Sequence, residues 1–244
     1  MIVSPATVDF QCEERLSESP VVDLIWYSHG EYATQFISMA QTRWSLVIAS
    51  IDGNVTVGIH GPETKATRLV APANAEFLSV MFKVGTMMPQ FPLTVFKDMA
   101  DITFPNATNN SFWLGTRTWQ LPNKENIDVF IGQLVRDGLL IHDKVVADTL
   151  KRRPVEISLR SVQRRFKQAT GLTYGTFEQI NRARYATKLL KNGRSPLAVV
   201  AEAGYYDQPH LIRSLKRFIG LTPQEIIAPN RNIPLSFLYN TVLD

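Results

Sequence analysis

Cysteine is almost missing from the 244 residues. Cys12 stands alone, so no intramolecular disulfide and no cysteine-built zinc site can form. That fits a reducing compartment, and a cytoplasmic location is expected. No run of about 18 consecutive apolar residues occurs, which excludes a membrane-spanning helix and sets membranes aside as a partner. The first residues, with Asp9, Glu13 and Glu14, lack the charged-then-apolar pattern of a secretory leader. Histidine is also scarce, at four residues, and no His-x-His pair is followed by a glutamate. Neither a metal site nor a cofactor is therefore expected. What remains is an ordinary globular balance of 45% hydrophobic and 20% charged residues, enough for one large domain or two small ones.

The net charge of +4 is unevenly spread. Residues 1–123 carry 7 Lys/Arg against 11 Asp/Glu, and residues 124–244 carry 19 against 11. Within 151–220 the count is 15 against 4. A mildly acidic front is thus joined to a strongly basic back. Such asymmetry points to nucleic acid or an acidic surface as the partner of the back half; a solvated basic surface is the alternative.

Texture changes along the chain as well. From Gln35 to about Leu121 it reads as short strands. Residues 44–50 and 54–59 alternate apolar or β-branched residues with small or polar ones, and Asp52-Gly53 between them signals a hairpin. Residues 77–82 are another strand, and 112–121 one or two more. Pro and Gly recur between these runs, which suggests a β-sandwich or small barrel.

After Pro122 the period becomes helical. Ile127, Phe130, Ile131, Leu134 and Val135 share one face of a helix within 126–141. Asp143 can cap a helix that must stop before Pro154. Ser158 can cap the next, with Leu159, Val162 and Phe166 on one face and Gly171 past its end. Thr173 or Thr176 opens a helix of about 17 residues that Gly193 ends. Ser195-Pro196 opens a short helix running to Ala203, with Gly204 after it. Asp207 caps another, with Leu211, Ile212, Leu215 and Phe218 apolar and Gly220 at its close. Thr222-Pro-Gln-Glu225 reads as a capping box.

The helices opened by Ser158 and Asp207 carry the functional signal. The outer face of the first presents Arg160, Ser161, Gln163, Arg164 and Lys167. That of the second presents Gln208, His210, Arg213, Lys216 and Arg217. Arg is suited to paired hydrogen bonds with guanine and Gln with adenine, and flanking cations suit phosphates. The helix between them spans roughly 25 Å, comparable to the ~34 Å between successive major-groove faces.

These residues carry a resemblance. Residues 158–171 (SLRSVQRRFKQATG) and 204–223 (GYYDQPHLIRSLKRFIGLTP) resemble the two recognition segments of the AraC/XylS family of bacterial transcription regulators. Order, the roughly 50-residue offset and the closing Gly-x-Thr-Pro agree, over about residues 143–228. The resemblance implies base-reading positions at Arg160, Gln163 and Arg164, and at Gln208, Pro209, His210, Ile212 and Arg213. Ser161, Lys167 and Lys216 complete the candidate DNA surface. Pro209 and Ile212 can contribute only shape or apolar contact. Val200 stands where the family usually has a small Ala, and the approach 151–156 to the first segment is irregular. The front half resembles, more weakly, the cupin-like effector or dimerisation domains of such regulators.

An α+β chain is therefore expected. A β-rich domain (1–122) leads through a connecting helix (123–142) to a double helix-turn-helix domain (143–228) and a tail (229–244). The expected function is sequence-specific binding of double-stranded promoter DNA, as activator or repressor. RNA polymerase, a small-molecule effector and a second copy of the chain are candidate further partners. Trp26, Tyr27, Trp44, Phe82, Trp113 and Trp119 could line an effector pocket, or could equally be core. Met87-Met88-Pro89 could be a lid or simple packing, and His29 and His60 read as structural or exposed. Arg182, Arg184 and Lys188 are expected to face solvent. Two other functions are compatible with parts of the sequence. One is a metabolite-binding module with DNA contact secondary. The other is an alkyl-accepting DNA-repair protein, for which Cys12 is the sole nucleophile and stands in an acidic setting. No catalytic residue is expected.

Overall fold

A computed structural model describes residues 10–99, 102–108, 110–228 and 235. The alternating segments of the front half pair into one antiparallel sheet of six strands. These are β1 (Phe10–Arg15), β2 (Val22–Gly30), β4 (Ser45–Ile51), β5 (Asn54–His60), β7 (Ala75–Phe82) and β9 (Ile102–Thr103), in the order β1-β2-β7-β4-β5-β9. Asp52 and Gly53 both take positive φ (49° and 79°) in the two-residue loop closing β4 onto β5, which suits the twist of the strands it joins. β1 and β2 lie before Gln35, where the sequence reading placed no strand. The β2 segment VDLIWYSHG is apolar nearly throughout, and both its faces are covered, so it lacks the clean alternation that marks a half-exposed strand.

Smaller sheets complete the front. β3 (Thr34–Ser38) pairs with β6 (Thr67–Ala71) as a two-stranded ribbon. β10 (Asn106–Thr108), β11 (Ser111–Leu114) and β12 (Arg117–Gln120) form a three-stranded sheet, so the run 112–121 becomes two strands. The helical pattern after Pro122 gives α2 (Ile127–Arg136), which ends before the Asp137-Gly138 turn, short of residue 141. Ile127, Phe130, Ile131 and Leu134 of α2 are buried against the sheet face that carries Ile25, Leu46, Ile48, Val57, Leu78 and Val80. Phe104, Phe112, Phe130 and Trp119 continue this core as a chain of ring contacts with centroids 5.5–6.1 Å apart. The helix left unassigned by the sequence thus packs into the front core. A further pair, β8 (Thr86–Met87) with β13 (Ile141–His142), brings the chain back to the sheet before the basic region begins. Met88 is buried in the front core.

The back half is helical, as its punctuation predicts. After the short α1 (Leu93–Phe96) of the front come α3 (Lys144–Leu150), α4 (Leu159–Thr170), α5 (Tyr174–Lys191), α6 (Pro196–Glu202), α7 (Gln208–Phe218) and α8 (Pro223–Ile227). Asp143, Ser158, Thr173, Ser195, Asp207 and Thr222 each accept from a backbone N–H in the first turn of their helix. A helical core of Ile180, Ala183, Leu190, Leu211, Leu215 and Phe218 takes in Ile37, Met39 and Ala40 from the front half. Leu235 joins that core and bridges Ile37 in parallel fashion; the rest of the apolar run 235–239 lies outside the described residues. A third, small core holds Val146, Phe166, Ala169 and Phe177. No described helix is long and apolar enough to cross a membrane.

Candidate nucleic-acid interface

The first candidate reading helix, α4, is set by its ends. Ser158 Oγ accepts from the Ser161 N–H at 3.2 Å, and Gly171 closes it with φ 72°. Val162, Phe166 and Ala169 face inward. The ring of Phe166 meets Tyr174 and Phe177 edge-on at 5.3 and 5.4 Å, which fixes the rotation of the helix. Arg160, Gln163, Arg164 and Lys167 are exposed together on the opposite side. Ser161 is half-buried, its hydroxyl 3.0 Å from that of Ser158. Leu159 departs from its expected place on the inner face: it is 72% exposed, at the first position of the helix, before the turn that packs.

In α7, Asp207 Oδ1 accepts from the His210 N–H at 2.7 Å. Leu211, Leu215 and Phe218 turn inward, while Gln208, Pro209, Arg213 and Lys216 are exposed and His210 and Ile212 half-buried. Of the paired tyrosines, Tyr205 packs inward and Tyr206 is 92% exposed. The Tyr205 hydroxyl lies 3.0 Å from Ser214 Oγ, and burial pushes its pKa up. Its ring meets His210 edge-on at 5.1 Å, steadying the first turn of the helix. Val200, the larger residue at the turn, is half-buried against the helical core, and its carbonyl accepts from the Tyr205 N–H at 2.9 Å.

α5 joins the two units with 18 residues, about 27 Å at 1.5 Å each. It also corrects one expectation. Arg184 is 4% exposed and does not face solvent; it donates to the Ala40 carbonyl at 3.3 Å. The ends of the front ribbon reach the far end of α7, where the Ala40 N–H donates to the Phe218 carbonyl (2.7 Å) and the Ala66 N–H to the Arg217 carbonyl (2.8 Å). Carbonyls of a last helical turn have no partner within the helix, so the front half caps the C-terminal end of α7. Sequence reasoning missed Ala40, Ala66 and Arg184, because small residues and a lone arginine carry no local signal of such contacts. Arg165 lies 3.9 Å from Asp143, and Arg217 sits over the Phe218 ring at 5.0 Å.

Of the six aromatic pocket candidates, Trp44, Phe82 and Trp119 are buried in the front core and Tyr27 packs against it. Trp44 stacks on Phe82 with centroids 4.2 Å apart and donates to the Thr86 carbonyl at 2.6 Å. Trp119 is buried under Phe130 and Arg117, and Trp113 is 45% exposed. Tyr27 lies beneath the Lys124 ammonium, at 3.1 Å from its ring centroid. Trp26, its neighbour on β2, is buried on the other face of the sheet. His29 and His60 lie 3.7 and 3.6 Å from Glu76 and Glu63. The Cys12 thiol is pushed up to about 11 by burial and then by Glu14 and Glu13, which leaves little thiolate at neutral pH. Among the described residues no cluster of three metal-ligating side chains occurs.

Residues 153–228 match the family model of a helix-turn-helix domain. The structure of ToxT from Vibrio cholerae overlaps 90% of this chain and 98% of its own, at 8% identity and a TM-score of 0.36, too loose a likeness to carry residue positions across. No curated protein matches. Residues 153–228 are thus similar to a helix-turn-helix domain, and the two capped, outwardly basic helices α4 and α7 both fall within the matched stretch.

Proposed function

We propose that the chain recognises a specific double-stranded promoter sequence in the cytoplasm, reading bases with two helices at once. The observation that carries this is the joint exposure of Arg160, Gln163 and Arg164 on α4 and of Gln208 and Arg213 on α7, with the apolar side of each helix buried. Paired donors of Arg and paired donor and acceptor groups of Gln match guanine and adenine edges in the major groove. Lys167 and Lys216, each nearer the far end of its helix, suit phosphates. Affinity for a duplex enriched from a random library is expected to fall linearly in log–log form with salt, losing about 10³-fold or more between 50 and 200 mM if six or more phosphates are neutralised. A flat response removes the reading.

The same proposal gives the front half a modulating role, through a small ligand or through a second copy of the chain. One observation favours the ligand. Ser79 is paired opposite Trp26 and Ser28 lies two residues along β2, so all three share one face of the sheet. The hydroxyls of Ser28 and Ser79 are fully buried with no hydrogen-bond partner among the described residues. A buried hydroxyl without a partner is costly, and a ligand or water that bonds it relieves that cost. A metabolite screen by thermal shift on the full chain tests this: a saturable rise in Tm, lost in Ser28→Ala, is expected. An effector can change DNA affinity only as far as it binds the two arrangements unequally.

A further inference from the structure

The two reading helices end on the same piece of the front half. A Cβ on Gly171, which closes α4, would lie 2.7 Å from the Leu93 carbonyl oxygen and 3.0 Å from Pro62 Cγ. A Cβ on Gly220, just past α7, would lie 3.1 Å from the Ala66 Cβ and 3.0 Å from Ile37 Cγ2. Both glycines hold φ in the left-handed region, 72° and 84°, so each is needed for the turn and for the close approach alike. Pro62 and Ala66 belong to the one connection, 61–66, that leads from β5 to β6.

That connection is braced from several sides. Gln41 and Glu63 exchange two backbone hydrogen bonds, at 3.0 and 2.9 Å. Ser38 Oγ donates to Glu63 Oε2 at 2.7 Å. Asp98 accepts from the Thr64 N–H at 2.6 Å, and its own N–H donates to the Pro62 carbonyl at 2.9 Å. At its far end the Ala66 N–H holds the Arg217 carbonyl. α5 packs on the second unit through Ile180, Ala183 and Leu190 but meets the first mainly at Phe177, so a second, braced link between the two units limits bending at that end.

We infer that the 61–66 connection is a spacer that holds the C-terminal ends of α4 and α7 at a fixed separation, and so sets the base-pair interval between the two DNA elements the chain reads. The inference rests on the two-helix reading above. Pro62 and Ala66 are positioning residues, since they touch the reading helices and not the DNA. One inserted base pair displaces the second element by about 3.4 Å and about 34°, more than a rigid pair of helices can follow.

The test uses the full chain and a duplex enriched from a random library, alone, with one base pair inserted between its two elements, or with one element scrambled. The wild type is expected to lose about tenfold or more on the insertion. Pro62→Gly with Ala66→Gly is expected to lose less than about threefold on the insertion while binding the one-element duplex as the wild type does. Val70→Ser, at an exposed site of β6, should behave as wild type. Equal loss on every duplex, with a lowered Tm, makes the connection merely structural and overturns the proposal, as does an unchanged spacing preference. A wild-type chain that enriches no duplex overturns the DNA reading itself, and this proposal with it.

Discussion

The two helix-turn-helix units meet one requirement, a rigid helix with a polar outer face, with different support. In the first, α3 and α4 are joined by an irregular stretch in which Arg152 takes φ 54°, and the buried core is only Val146, Phe166, Ala169 and Phe177, with Val84 and Met87 of the front half against it. In the second, α6 and α7 meet at Gly204, and the core is broad. The front half contributes Ile37, Met39 and Ala40 to it and caps the end of α7. The first unit therefore depends on a small core centred on the Phe166 ring, while the second spreads its support over many side chains and two backbone hydrogen bonds.

The sharpest way to break this contrast is to remove that ring. Phe166→Ala is expected to cost about 3–5 kcal/mol. Hydrogen exchange should show protection lost in α3 and α4 before α7 changes, and simultaneous loss would mean that the units share one cooperative core. A smaller effect separates the two surfaces. Arg164→Ala and Arg213→Ala should each cost about 1–3 kcal/mol in binding the enriched duplex and relax base preference in different elements of it. Equal loss on random DNA would make the altered residue a phosphate contact.

The smallest effect belongs to the second unit alone. Glu225 Oε2 accepts from the Thr222 N–H at 2.7 Å in the capping box of α8, and that bond holds its carboxyl below the ordinary glutamate range. A carboxylate whose folded pKa is depressed stabilises above the unfolded value and loses that contribution as pH falls through the folded one. Glu225→Gln should therefore lower Tm slightly at neutral pH, by no more than about 1 kcal/mol of stability. The gap to the wild type should close on acidification, and a gap independent of pH would remove the charge from the account.

Local chemistry made the back half legible. Each cap is a short polar side chain reaching an amide two or three residues on, so Asp143, Ser158, Asp207 and Thr222 could be read without the fold. The same holds for the exposed residues proposed to read bases, whose inner neighbours recur at helical spacing. Leu159 failed this reasoning because the first turn of a helix can project beyond the core it precedes. Arg184 failed it because a charge can be buried against a carbonyl 144 residues away. Strand β2 was missed because burial on both faces erases the alternation that a sequence shows.

The sequence by itself determined the acidic front, the basic back, the helix ends and the polar outer faces of α4 and α7, because these depend on neighbours within a few residues. Only the tertiary structure decided that α2 packs into the front core and that the front ribbon caps α7. It alone brought Pro62 and Ala66 to the glycines that close the two reading helices. The contacts of Ala40 and Ala66 with the end of α7, and of Pro62 with Gly171, join segments more than 100 residues apart through backbone atoms and small side chains, which look the same in a sequence whether or not anything touches them.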